Sequence, residues 1–315
     1  MRNVKIIEVK SEIGAGTRGA SLGADAIRIA ALDFMSSFFV NFPSEQVETE
    51  NKLLYEPVES PYAKRIRGIH TMYERVSEAV CNTLKSGLFP VVLAGDHSTA
   101  GGTIAGIRKA KPKDRIGIIW IDAHADLHSP YTTPSGNMHG MPLAAALGED
   151  NTDNQVHNPD PQTIEYWNKI KHIAKTYPMI SPEDIVFIGL RDYEKEEEYL
   201  LKKYNIKVIP VQEVRRKGVE NVVRQTMLHL SNCDDIYVSF DVDSLDSSIS
   251  RGTGTPVSNG LREKEVEDLI ASFMQNHKIC CFEITEVNPT LDKENLMAEI
   301  AFNILQRSVN LLLMN

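Results

Sequence analysis

Short apolar, β-branched runs alternate with segments of helical period along the whole chain. The runs at residues 4–9, 90–94, 116–121, 185–190, 206–211, 236–240 and 279–284 predict strands, and 52–55 is a further candidate. Helices are predicted over 24–32, 62–85, 99–109, 161–175, 194–204, 219–230, 263–275 and 293–313. In the second of these, Ile66, Ile69, Met72, Val76, Val80 and Leu84 fall on one stripe, as an amphipathic helix requires. The run Ile116-Gly-Ile-Ile-Trp-Ile is apolar at nearly every position, the pattern of a strand buried on both faces of a parallel sheet. Strand–helix alternation predicts the α/β class: a parallel sheet with helices on both sides. No repeat, linker or low-complexity tract interrupts it, so residues 1–315 are expected to form a single domain.

In such sheets ligands bind beyond the carboxyl ends of the strands. Three polar clusters begin where predicted strands stop: Gly95-Asp-His-Ser, Asp122-Ala-His-Ala-Asp and Asp241-Val-Asp. All three are expected on one edge of the sheet. In an extended chain, residues i, i+2 and i+4 point the same way, which would aim Asp122, His124 and Asp126 at one place and Asp241 and Asp243 at another. With His97 they give four carboxylates and two imidazoles. Crowded carboxylates repel and take up protons unless cations neutralise them; one divalent ion leaves an excess of negative charge and two balance it. Oxygen-rich ligation with some imidazole suits Mn²⁺ better than Zn²⁺.

Composition narrows the partners. The net charge of −9 argues against nucleic acid and anionic membrane surfaces as ligands. Cys81, Cys233, Cys280 and Cys281 show no CxxC spacing and no disulfide framework. The N-terminus has no apolar signal core, and no run approaches the ~18 apolar residues of a membrane span. The expected location is a reducing cytoplasm. Gly14-Ala-Gly-Thr-Arg-Gly matches the dinucleotide fingerprint G-x-G-x-x-G. Residues 10–13 separate it from the first strand, however, and the helix begins only after Gly23, whereas a true fingerprint opens the helix within the motif.

The motifs Ala94-Gly-Asp-His-Ser, Ile121-Asp-Ala-His-Ala-Asp and Ser239-Phe-Asp-Val-Asp-Ser-Leu-Asp resemble those of the ureohydrolase family. The resemblance runs from Gly16-Thr-Arg-Gly-Ala-Ser-Leu-Gly-Ala nearly to the C-terminus. Tyr131-Thr-Thr-Pro-Ser-Gly-Asn-Met-His-Gly-Met-Pro, Gly254-Thr-Pro-Val and Thr285-Glu-Val-Asn-Pro-Thr look most like its arginase branch. The resemblance implies a three-layer α/β/α domain with a parallel sheet of about eight strands. It also implies two Mn²⁺ ions bridged by Asp122 and Asp241, with His97 and Asp126 on one ion and His124 and Asp243 on the other. Two metals sharing a water lower its pKa, and the hydroxide would attack a guanidinium carbon. Asp126 would orient it, Glu286 would pair with the guanidinium, and His139 would pass a proton to the leaving amine. The implied reaction is L-arginine to L-ornithine plus urea. Agmatine, guanidino-acid or formimidoyl substrates of the same family remain alternatives, as does a non-catalytic member, although no ligand or shuttle is lost here.

Ser135 and Asn137 match substrate-binding positions of the family, and Thr255 either lines the pocket or shapes a turn. Two positions depart: His128 stands where the family usually has Asn, and Glu194 where it has Asp. Both bear on the end of the substrate away from the guanidinium, so the implied partner is a small guanidino molecule of unfixed tail. The family forms trimers or hexamers, which implies a homo-oligomer.

Overall fold

The computed structural model describes residues 3–314. Its strands are β1 (Asn3–Val9), β2 (Ser44–Gln46), β3 (Leu88–Ala94), β4 (Ile116–Ile121), β5 (Ile185–Ile188), β6 (Lys207–Ile209), β7 (Asp235–Asp241) and β8 (Ile279–Thr285). They form one parallel sheet in the order β2-β1-β3-β8-β7-β4-β5-β6. The helices are α1 (Gly23–Asp33), α2 (Phe38–Asn41), α3 (Ile66–Lys85), α4 (Ala100–Ala110), α5 (Pro142–Leu147), α6 (Pro161–Lys171), α7 (Lys195–Lys203), α8 (Val211–Lys217), α9 (Val219–His229), α10 (Glu263–Met274) and α11 (Leu296–Met314).

Alternation along the strands divides the interior into two cores. Ile118, Trp120, Phe187 and Tyr237 join the core under α3 to α7, whereas Ile119, Ile121, Val186 and Phe240 join the core under α1, α2 and α8 to α11. Both faces are covered, which is why the β4 run is apolar throughout. The three-layer, eight-stranded α/β architecture expected from the sequence is therefore the one observed. Glycines let α4 pack tightly on α3: a Cβ at Gly106 would sit 2.7 Å from that of Val80.

Two local expectations differ, and short elements such as β2 and α5 were not anticipated. Residues 52–55 form part of a 3₁₀ helix, Asn51–Tyr55, rather than a strand; a four-residue apolar run is too short for its period to be read. The edge strand β2 is exposed at all three positions, so it carries no apolar pattern and is held through its backbone. The run predicted as a strand over 206–211 stops at Ile209, and Val211 instead opens α8, burying Val211 and Val214 one turn apart. Finally, α5 is only six residues long, although Pro142 at its start and Gly148 in the left-handed conformation (φ 69) after its end are ordinary helix signals.

The order places β3, β8, β7 and β4 side by side in the middle of the sheet. The chain leaves β3 through α4 and enters β4 three positions away; β7 and β8 later fill the two places between. The carboxyl ends of these four strands carry His97, Glu286, Asp241 and Asp122 respectively.

Candidate metal centre and substrate pocket

The expected six ligands meet at that edge, but by a different local geometry. Asp122–Asp126 is not extended: the chain bends directly after β4, and Asp126 has left-handed backbone with φ 52. Asp243 likewise lies in a 3₁₀ turn, Val242–Ser244, whose start is capped by the Asp241 side chain accepting from Asp243 N–H. Convergence thus comes from turns that end strands, not from alternation along them.

His97 Nδ1 lies 3.0 Å from Asp122 Oδ2, 3.0 Å from Asp126 Oδ2 and 3.2 Å from Asp241 Oδ2. His124 Nδ1 lies 3.0 Å from Asp243 Oδ2 and 3.6 Å from Asp122 Oδ1. Two ligand groups result, His97/Asp122/Asp126 and Asp122/His124/Asp243, with Asp122 common to both. Several of these atoms are buried with no hydrogen-bond partner, among them His97 Nδ1, Asp122 Oδ2 and Asp126 Oδ2. Each unsatisfied buried group costs ~1–3 kcal/mol. Lone pairs aimed at one another across about 3 Å repel unless a cation or a proton lies between them. Without one the cluster would hold protons: burial pushes the Asp241 carboxyl well up and, with Asp122 beside it, brings Asp126 to about 6. The donor set fits two adjacent divalent ions.

The ligands are braced from behind. His97 Nε2 is 2.8 Å from Ser239 Oγ, and the His97 ring stacks on buried Trp120 at 4.1 Å and 9°. Ser239 precedes Asp241 by two residues on β7, a period-two placement that could have flagged it. Thr255 lines the pocket, and its Oγ1 donates to Asp243 Oδ2 at 3.1 Å. Arg191, which the sequence reading passed over, donates to the carbonyls of Asp243 and Leu245 and so holds the β7 turn.

A pocket opens over the cluster, lined by Asp126, His128, Ser135, Asn137, His139, Glu194, Glu197, Thr255 and Glu286 among others. Glu286 is buried, with left-handed backbone (φ 65). Its Oε1 accepts from His97 N–H at 2.9 Å and lies 3.0 Å from His139 Nδ1, while Oε2 has no partner. Burial alone would lower the His139 pKa; the Glu286 carboxylate outweighs it and brings it to about 9. The glycine segment that mimics a dinucleotide fingerprint lies beneath the pocket instead. Gly14 N–H donates to Asp96 at 2.8 Å, its carbonyl accepts from His139 N–H, and the helix starts at Gly23.

The two departing residues find each other. His128 Nε2 is 2.9 Å from Glu194 Oε2 and 3.5 Å from Glu197 Oε2. Burial would lower His128, but Glu194 raises it; His128 in turn holds Glu194 down to about 2. Glu197, not anticipated from the sequence, is buried, receives Leu127 N–H at 3.0 Å and is pushed up to about 8 by burial. Its signal was its place one helical turn after Glu194.

The loop from Thr133 to Asn137 supplies a further part of the lining. Gly136 there has φ 75, and a Cβ would collide with the Pro61 carbonyl. Gly136→Ala is expected to cost at least ~2 kcal/mol from the left-handed conformation and the clash together. Thermal melting checks this; a melting temperature equal to that of the wild type would contradict the tight fit.

Comparison with known proteins bears on the family and the fold. A family model described as the arginase family matches residues 2–309. An arginase of Brevibacillus brevis is 35% identical, with 95% of each chain covered. The native structure of Bacillus caldovelox arginase superposes with a TM-score of 0.82 at 32% identity, covering 97% of each chain. Entamoeba histolytica arginase, solved in complex with L-ornithine, gives 0.83 at 26% identity over 98% of this chain and 99% of that one.

Proposed function

The chain belongs to the arginase family, and from that premise we propose that it hydrolyses L-arginine to L-ornithine and urea with two Mn²⁺ ions bound. The observation that carries this reading is the pair of ligand groups sharing Asp122, with Glu286 and His139 facing the same pocket. Two divalent ions held there supply Lewis-acid activation of water. The oxygen- and imidazole-rich donor set, free of thiolate, favours Mn²⁺.

The protein's own groups then have distinct tasks. The unpartnered Glu286 Oε2 faces the guanidinium, whose planar N–H fork matches a carboxylate, and fixes the carbon to be attacked. Asp126 accepts a hydrogen bond from the attacking water and orients it. Attack forms the new C–O bond and the bond from the guanidinium carbon to the nitrogen borne by the alkyl chain breaks; one proton of the water is lost to solvent and the other passes by way of Asp126 to the leaving nitrogen. The leaving amine collects a proton from His139, held as imidazolium by Glu286. Ser135, Asn137, His128, Glu194 and Thr255 surround the rest of the substrate.

A urea assay of Mn²⁺-loaded protein against L-arginine, agmatine and several guanidino acids tests the reading. Turnover of arginine is expected to exceed that of agmatine. Faster agmatine turnover would overturn the substrate assignment and leave the reaction class, whereas no urea from any of them, with two metals bound, would overturn both. We further propose a homo-oligomer, trimer or hexamer, working in the cytoplasm. Ile29, Leu32, Met35 and Val40, all exposed around α1 and α2, supply apolar surface for such contacts.

A further inference from the structure

Two walls of the pocket carry different chemistry. On one, His128 is paired with Glu194 and Glu197. On the other, Ser135 and Asn137 face the pocket, and behind them stands Lys64, which does not line it. Lys64 Nζ donates to Asn137 Oδ1 at 3.0 Å, and Lys64 N–H donates to the Gly136 carbonyl at 2.8 Å. Among the described residues no carboxylate lies within 4.0 Å of Lys64 Nζ, in a chain whose net charge is −9.

An ammonium group has donors only, so it can meet only the oxygen end of the Asn137 amide. That fixes the amide the other way round for everything else: the NH₂ end is left as the one free to donate. The amide cannot readily slide. Its Nδ2 lies so close to Gly16 that a Cβ there would be 2.6 Å away, and Asn137 N–H is tied to Ser135 Oγ at 3.1 Å. Around the same loop, His157 Nε2 lies 2.7 Å from the Thr133 carbonyl, and its ring stacks on Tyr62 at 4.1 Å. The segment Tyr62–Lys64 therefore clamps this wall from outside. A substrate whose guanidinium rests on Glu286 extends its other end toward the walls. One of them presents an oriented amide donor, a hydroxyl and, behind them, a lysine ammonium with no carboxylate within 4.0 Å among the described residues.

We propose that Lys64 is a specificity-determining positioning residue. By orienting Asn137 and lending it a positive charge that makes no close ion pair, it selects guanidino substrates that carry a carboxylate at the end remote from the guanidinium. This rests on the proposed hydrolysis of guanidino compounds, and it concerns the tail of the substrate rather than the reacting carbon.

The test compares the wild type with Lys64→Met and Lys64→Arg, all loaded with Mn²⁺. The substrates are L-arginine and 4-guanidinobutyrate, which bear a carboxylate, and agmatine, which lacks one. Lys64→Met is expected to lower the arginine-to-agmatine ratio of kcat/KM by at least about tenfold, chiefly through KM for arginine, as loss of a charge-assisted contact does. Lys64→Arg, which keeps charge and donors, should recover most of it. Inhibition by L-ornithine should weaken in Lys64→Met, whereas inhibition by putrescine should not. Equal losses for all substrates, or an unaltered ratio, would overturn the proposal. Bound metal and the melting temperature confirm folding in each variant. The wild type's own preference between arginine and agmatine judges the arginine reading separately. If agmatine wins there, the ratio of 4-guanidinobutyrate to agmatine still decides for or against Lys64.

Discussion

Asp122→Asn is expected to weaken both metal positions at once and to lower kcat by about 10⁴-fold, since losing the Lewis acid removes several kcal/mol of transition-state stabilisation and ~1.4 kcal/mol corresponds to each factor of ten. The reason is geometric. Asp122 is common to the His97 group and the His124 group, and Asp241, the other expected bridge, stands 3.2 Å from His97. Asp243→Asn touches only the second group and should spare the first ion. Metal content per chain and urea release distinguish the two variants. A third readout needs no turnover: Mn²⁺ at 100 times its Kd stabilises the wild type by ~2.7 kcal/mol, so its melting temperature rises with added metal. That of Asp122→Asn should hardly move. A variant that keeps two tight ions and wild-type turnover would contradict the shared-ligand geometry.

The second large effect concerns His139. His139→Asn removes a titrating group that lies against Glu286 without being one of the clustered ligands, so both ions should stay bound while kcat falls by about 10²–10⁴-fold, the usual weight of a proton-transfer group. The pH dependence follows from the direction of the shift. Its folded pKa, about 9, is raised above the ordinary 6.5, so the imidazolium and its bond to Glu286 are fully present below 6.5 and lost as pH rises through about 9. If His139 delivers the proton, kcat declines above about pH 9, and the residual activity of His139→Asn lacks that limb. A variant with undiminished turnover would remove the role.

How much of this was legible beforehand depended on the kind of signal. The buried central strands were plain in the sequence because burial on both faces leaves continuous apolar runs, as at Ile116–Ile121. The polar edge strand Ser44–Gln46 was not, since its pairing lies in backbone groups common to every residue. The six clustered residues were found for a partly mistaken reason. Alternation along an extended chain was expected to align Asp122, His124 and Asp126, yet the alignment comes from a bend with Asp126 at φ 52. Short turns of this sort are set by contacts distant in sequence, such as Thr255 to Asp243 and Arg191 to the β7 turn, which no local pattern encodes. The same blindness hid the pairing of His128 with Glu194. Read singly, each looked like a change toward some other substrate; placed 2.9 Å apart, they compensate one another's charge. Lys64 was invisible for a third reason, being one of many lysines until the fold set it behind Asn137.

The strand order has one more consequence, for biosynthesis. The neighbours β3 and β4 of the finished sheet's centre are separated by β8 and β7, which begin only at Ile279 and Asp235. A ribosome therefore releases the first two-thirds of the polypeptide as two half-sheets with raw edges facing each other across a vacant slot. Such edges are templates for adventitious pairing with other chains. Closure waits for the last strands to thread into the middle. Because β7 brings Asp241 and Asp243 and β8 brings Glu286, a nascent chain would complete the ion-binding cluster only once β7 is in place, and the guanidinium-facing carboxylate would arrive last, with the strand that closes the sheet.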